Sequence, residues 1–99
     1  MTSRDIALTN ALGLHARAAA KFVHTASAFR SRIRVGRDGR YMDGKSIMGI
    51  LLLAASKGTI ITISADGSDE REAIAALRAL VERGFDEAPL DTAQGGPCA

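Results

Sequence analysis

One histidine in a glycine-containing loop is the residue of this chain best suited to do chemistry. His15 follows Gly13 by two residues and precedes an alanine-rich stretch typical of a helix, with Arg17 in its first turn. The first amide N–H groups of a helix have no partner within it, so a helix start attracts anions. A neutral imidazole is a good nucleophile near pH 7, so we expect His15 to carry a phosphoryl group there. The backbone N–H groups of Ala16 and Arg17, with the Arg17 guanidinium, would stabilise that group.

Simpler interpretations remain open for each of the residues singled out. The His-x-Arg pattern is short, and on its own it favours a His15 that only caps the helix or packs in its loop. Ser46 precedes a short apolar stretch, where helix capping alone explains a serine. His24 is expected to be a solvated helix residue, and no metal site is predicted because it has no second histidine or cysteine at ligand spacing. Tyr41 is expected to pack on a sheet.

The hydrophobic pattern predicts the elements that position these residues. Alternating apolar residues predict strands over 4–9, 32–37, 40–42 and 59–65. Apolar residues at helical spacing predict helices over about 16–28 and 47–54, and a last helix that opens within 67–72 and stops at Gly84. The order β-α-β-β-α-β-α has too few strands to bury both faces of a sheet. We therefore expect an α+β fold with one antiparallel sheet, helices on one side, and a wet face that carries Arg32, Arg34, Thr62 and Ser64.

Local signals sharpen some boundaries. Asp38-Gly39 predicts a two-residue hairpin turn, because both residues tolerate positive φ. Asp69 and Glu72 have the spacing of a capping box for the last helix, which Gly84 should stop.

Composition restricts the classes to which the protein can belong. The 99 residues are 46% hydrophobic and 24% charged with a net charge of +2, as expected for one folded domain. We assign this domain to residues 1–85 and expect residues 86–99 to form a disordered tail. The 13 Lys and Arg residues are scattered, which suits acidic proteins or a phosphate better than nucleic acid. The lone Cys98 and the lack of a signal peptide or apolar span indicate a cytoplasmic protein that does not enter a membrane.

The short helix after Ser46 has more apolar residues than it can bury. Core packing can account for Ile50, Leu51 and Leu53, but some of the remaining side chains must face water or a partner. Beside the first helix, with its basic residues Arg17, Lys21 and His24, they would form an apolar patch with a basic rim. We therefore predict a surface that binds partners, with the flexible Met48 suited to several of them.

Two motifs together give a family resemblance. Gly13-Leu14-His15-Ala16-Arg17 after a first strand, with Lys45-Ser46-Ile47-Met48-Gly49 about thirty residues later, resembles the family of histidine-containing phosphocarriers called HPr. The resemblance covers about residues 3–85. It implies an open-faced β-sandwich with four antiparallel strands and three helices on one face, which agrees with the predicted order.

The resemblance also implies a function within the bacterial phosphoenolpyruvate-dependent phosphotransferase system. His15 would accept a phosphoryl group from enzyme I through Nδ1 and pass it to an enzyme IIA domain, with Arg17 and the backbone of Ala16, Arg17 and Ala18 around the phosphate. The chain would be a monomeric protein substrate that needs no cofactor and turns over no small molecule itself. The implied partner-binding residues are Ala20, Lys21, His24, Ile47, Met48 and Leu51.

Two positions deserve separate expectations within that resemblance. The family usually has proline after the arginine, whereas this chain has Ala18, which should cost about 0.4–1 kcal/mol of preorganisation and restores an N–H group that can donate to phosphate. Ser46 matches the regulatory site of HPr kinase/phosphorylase, where a phosphate would add about two negative charges beside the docking surface.

Two other functions remain as alternatives. The protein can belong to a regulatory, nitrogen-related branch in which partners read the phosphorylation state of His15 or Ser46. An RNA-binding sheet is a weaker alternative, because only 4% of the residues are aromatic.

Overall fold

The computed structural model describes residues 1–86 and has the predicted order of strands and helices. A final 3₁₀ turn, Gly84–Asp86, follows the last helix. The predicted tail, residues 86–99, lies outside the described residues except for Asp86. The elements are β1 (Thr2–Ala7), α1 (Ala16–Ala26), β2 (Arg32–Arg37), β3 (Arg40–Asp43), α2 (Ile47–Leu52), β4 (Ile60–Asp66) and α3 (Glu70–Glu82).

The four strands form one antiparallel sheet in the order β1-β4-β2-β3. The central strand β4 pairs Ile61 with Ile6 of β1 and Ile63 with Val35 of β2, so apolar residues line one face. Asp38 and Gly39, with φ of 52° and 80°, form the two-residue turn between β2 and β3 that the sequence predicts. The predicted α+β architecture is confirmed.

The three helices cover the apolar face of the sheet and enclose the core. Helix α3 packs on β1 and β4, and α1 packs against both α2 and α3. Each helix contributes fully buried side chains, which include Phe22 of α1, Ile50 of α2 and Leu77 of α3. A single sheet face and one helical layer are the arrangement expected when the strands alternate apolar and polar residues.

The other face of the sheet is open but not uniformly wet. Arg32 and Arg34 are exposed as predicted. Ser64 lies on this face as predicted, but it is only 8% exposed, so the expectation that it is wet is wrong. The small serine side chain lies in a cleft whose walls include Arg32, Arg34 and Tyr41. The ring of Tyr41 packs over Gly36 on the neighbouring strand. A Cβ added to Gly36 would lie 2.5 Å from this ring.

The predicted capping box at the start of α3 is wrong. The carboxylate of Asp69 accepts hydrogen bonds from the backbone N–H of Arg30 at 2.8 Å, the N–H of Ser31 at 2.9 Å, and the Ser31 hydroxyl. Glu70, rather than Glu72, reaches back to the N–H of Gly67 at 3.2 Å. Asp69 thus joins two loops that are distant in sequence. These hydrogen bonds lower the pKa of the Asp69 carboxyl to about 2, and the bond from the Ser31 hydroxyl has the largest effect.

Helix α2 is shorter than the predicted 47–54. It ends at Leu52, Leu53 is its C-cap, and Ala54 then takes a left-handed conformation with φ of 52°. The sequence has no glycine here to mark the end of the helix, so the apolar pattern runs past it.

Candidate functional site

His15 is the N-cap residue of helix α1 and is half-buried. Its backbone is extended, with φ of −77° and ψ of 179°, and its Nδ1 atom accepts a hydrogen bond from the backbone N–H of Arg17 at 3.2 Å. His15 therefore does cap the helix, as the simpler interpretation predicts. It does not exclude chemistry, because the ring lies at the helix start and outside the core.

The hydrogen bond from Arg17 fixes the chemical character of the two ring nitrogens. An N–H donor must point at a lone pair, so Nδ1 is the unprotonated nitrogen and the neutral ring carries its proton on Nε2. The nucleophilic lone pair thus lies directly against the start of the helix. If Nδ1 forms a covalent bond to a phosphoryl group, the Arg17 N–H loses its acceptor. It can then donate to an oxygen of that phosphoryl group.

The loop before His15 is held tightly. Gly13 has φ of +64°, and a Cβ at this position would lie 2.4 Å from the carbonyl oxygen of Ala55, so both conformation and space require glycine. The buried side chain of Asn10 donates from Nδ2 to the Gly13 carbonyl at 2.8 Å. The next residue, Leu14, donates its N–H to the Ala55 carbonyl at 2.9 Å and is itself buried. These contacts give His15 a defined position.

The predicted phosphate-binding residues occupy the first turn of α1. Ala16 and Arg17 are exposed, and Ala18 is buried. The N–H groups of these three residues are the ones an α-helix leaves without helical partners, whereas Ala19 already donates to the His15 carbonyl at 2.8 Å. This turn contains no acidic residue. An anion carried by His15 would therefore meet backbone N–H donors and no carboxylate of this turn.

Ser46 is the N-cap residue of α2, as predicted. Its Oγ accepts a hydrogen bond from the backbone N–H of Gly49 at 3.1 Å, and its side chain is half-buried. The adjacent Lys45 is turned away to donate to the Phe29 carbonyl at 2.7 Å, where the chain leaves α1. The structure therefore explains Ser46 as a helix cap, and the residue is partly exposed.

An apolar patch lies on the outer side of α2. Ile50 and Leu53 are buried in the core, whereas Met48 and Leu52 are 69% and 57% exposed. Leu12, in the loop before His15, is another exposed apolar residue that the sequence analysis missed. The position of Leu12 in the loop before His15 was the one sequence signal that could have indicated its exposure. We define the docking patch as the exposed apolar residues of α2, which are Ile47, Met48, Leu51 and Leu52.

The predicted partner-binding residues of α1 differ in their exposure. His24 is exposed on α1, as predicted, and Ala20 is exposed as well. Lys21 was predicted to be exposed but is half-buried, and its Nζ donates to the Phe85 carbonyl at 2.6 Å. The ammonium group of Lys21 therefore holds the turn that follows α3, a contact across 64 residues of sequence that no local pattern reveals.

Helices α1 and α2 themselves carry no negatively charged side chain. No Asp or Glu occurs in residues 6–37 or 44–65, which include α1 and α2. The strand register puts Asp5, Asp43 and Asp66 with Arg32 and Arg34 on the open face of the sheet. That mixture does not suit nucleic acid, which prefers a basic surface.

Residues 1–86 lack two kinds of feature. None of their helices is both long enough and apolar enough to cross a bilayer. No group of three or more His, Cys, Asp and Glu side chains in this part of the chain is arranged to hold a metal ion.

Comparisons with known proteins agree with each other. A family model described as the PTS HPr component phosphorylation site matches residues 2–83. A phosphocarrier protein HPr from Cupriavidus necator is 48% identical over 87 residues, which cover 88% of this chain and 98% of that protein.

Solved structures extend this similarity to the fold. The HPr-C-His structure from Thermoanaerobacter tengcongensis has a TM-score of 0.87 at 48% identity and covers 90% of this chain and 100% of that one. An HPr dimer from the same organism has a TM-score of 0.71 at 49% identity and covers 88% and 100% of the two chains.

Proposed function

The chain belongs to the HPr family of phosphocarrier proteins, and from that premise we propose that His15 takes a phosphoryl group from phospho-enzyme I and passes it to an enzyme IIA domain. The reaction belongs to the phosphoenolpyruvate-dependent phosphotransferase system. The proposal depends most on one observation: the Nδ1 lone pair of His15 points at the free start of α1. The protein acts as a substrate of two larger enzymes and turns over no small molecule by itself.

The transfer needs no further reacting group. The Nδ1 lone pair of His15 forms a bond to phosphorus while the bond between phosphorus and the donor breaks, and the electron pair of that bond leaves with the donor. The N–H of Arg17 then turns from Nδ1 to a phosphoryl oxygen, and its guanidinium and the N–H groups of Ala16 and Ala18 add further donors. Phosphoryl transfer depends mainly on such positioning and charge stabilisation. In a second transfer a nucleophile of the enzyme IIA domain bonds to phosphorus while the Nδ1–phosphorus bond breaks, and the electron pair of that bond returns to Nδ1.

The docking patch supports the assignment of partners. Met48 and its apolar neighbours lie beside an acid-free helix, so a partner surface that is apolar at its centre and acidic at its rim would be complementary. We propose a cytoplasmic, monomeric carrier that binds enzyme I and enzyme IIA domains through Ala20, His24 and this patch. We further propose that HPr kinase/phosphorylase, where present, modifies Ser46.

A mass measurement tests the central assignment. Incubation with phosphoenolpyruvate and enzyme I should add about 80 Da in a form that is labile to acid and stable to base. His15→Asn should abolish the gain while preserving the fold, because asparagine is a good N-cap residue. Arg34→Met, on the open face of the sheet, is the control and should retain it. Phosphorylation of His15→Asn would refute the assignment.

A further inference from the structure

The chain leaves α2 through a residue in an unfavourable backbone conformation. Ala54 has φ of 52°, in the left-handed region that costs free energy for a residue with a Cβ atom. Such a residue persists where its surroundings hold it, and strained residues cluster at functional sites. Ala54 is also exposed, so burial of its own side chain does not hold it.

Arg37, at the end of β2, holds this turn. Its Nη1 atom donates to the Leu53 carbonyl at 3.1 Å and to the Ala54 carbonyl at 2.9 Å. A guanidinium at the C-terminal end of a helix also interacts favourably with the carbonyl groups that the helix leaves unpaired. The side chain of Arg37 is 28% exposed. Its position is therefore that of a brace between the sheet and the end of α2.

The braced turn is the surface on which the His15 loop rests. The next residue, Ala55, accepts the N–H of Leu14 at 2.9 Å, and a Cβ at Gly13 would lie 2.4 Å from the same carbonyl oxygen. Leu14 is covalently joined to His15. A shift of the turn would therefore move the backbone that carries the nucleophilic ring.

We propose that Arg37 is a positioning residue for phosphoryl transfer, which acts on His15 through the Ala54 turn and the Leu14 N–H. This inference depends on the proposed role of His15. Arg37 itself touches neither the ring nor the transferred group. Its contribution is the placement of Nδ1 relative to the incoming phosphorus, and small misplacements of reacting atoms lower rates strongly.

The test separates positioning from docking. Arg37→Met should lower kcat for phosphorylation by phospho-enzyme I about tenfold with little change in KM. Arg34→Met, on the open face, is the charge-matched control and should change neither. Arg37→Lys retains one cationic donor and should recover part of the rate, so it also covers the case in which Arg37→Met folds poorly.

Hydrogen exchange of the Leu14 amide gives a readout that does not depend on phosphoryl transfer. The exchange should be faster in Arg37→Met than in the wild type and unchanged in Arg34→Met, because only the first change releases the turn. A higher KM with unchanged kcat would show that Arg37 is a docking cation and overturn the proposal. Unchanged exchange at Leu14 would overturn it as well. Failure of the wild-type protein to be phosphorylated at His15 would instead overturn the proposed function.

Discussion

At the scale of single residues, His15 combines two roles that sequence patterns present as alternatives. Its Nδ1 atom caps the helix by accepting the Arg17 N–H, and the same bond leaves the nucleophilic lone pair on that nitrogen. Helix capping and phosphoryl acceptance therefore depend on the same local geometry. A helix-capping role therefore does not exclude a role as a phosphoryl acceptor.

Ala18 allows a residue-scale prediction, because the family usually has proline here. Ala18→Pro should raise the free energy of unfolding by about 0.4–1 kcal/mol, since proline restricts the unfolded chain. It should also shorten the lifetime of the phosphohistidine, because one N–H donor to the phosphate is lost. Urea unfolding and the hydrolysis rate of the phosphorylated protein measure the two effects.

The control for this substitution lies one half-turn further along α1. Ala20→Pro removes an N–H inside the helix and should destabilise the protein by about 3 kcal/mol or more. A phosphohistidine lifetime that is equal in Ala18→Pro and the wild type would mean that the Ala18 N–H does not reach the phosphate.

At the scale of elements, the predictable features are those with local signals. Ser46 before an apolar stretch indicates a helix start, and Asp38-Gly39 indicates a hairpin, because both signals depend on neighbouring residues alone. Arg37 and Lys21 were not predictable in their observed roles. Their side chains reach carbonyl groups that lie 16 to 64 residues away, and only the packed fold brings these together. Asp69 matches a capping pattern, but the tertiary contact with Ser31 outcompetes it.

The start of α2 gives an element-scale prediction with two opposite variants. Ser46→Asp retains a good N-cap and adds a negative charge beside the docking patch, so stability should be unchanged while KM with enzyme I rises. Ser46→Ala loses the cap and should destabilise the protein by about 1 kcal/mol with KM unchanged. Thermal unfolding and phosphorylation kinetics separate the two. If Ser46→Asp leaves KM unaltered, charge at this position does not control docking.

At the scale of the whole molecule, charge is distributed unevenly over the two sides. The helices next to His15 lack carboxylates, whereas carboxylates occur on the open face and around α3. The sequence shows the acid-free segments, but only the sheet register shows which charges share a face. This separation favours partners that approach the helical side.

The carboxylates around α3 predict how stability depends on pH. Hydrogen bonds lower the pKa of Asp69 to about 2 from 3.8, and those from Thr2 and Gly67 lower that of Glu70 to about 2 from 4.5. A carboxyl whose pKa is lower in the folded state stabilises the protein at pH values above its unfolded-state pKa. Stability should therefore be lost as the pH falls from about 4.5 to 2. The free energy of unfolding, measured at a series of acidic pH values, should show this loss. Asp69→Asn should reduce the slope of the free energy of unfolding against pH. Glu72→Gln, on the same helix, is the control and should leave the slope near that of the wild type.

The hydrogen bond from Arg17 to the ring of His15 also makes one amide a spectroscopic reporter. Its proton points at the atom whose occupancy changes, so the ¹H–¹⁵N resonance of Arg17 should differ when Nδ1 is bare, protonated or covalently loaded. The state of the carrier can therefore be followed in a ¹⁵N-enriched sample, with no chemical probe attached near the surface that its partners use.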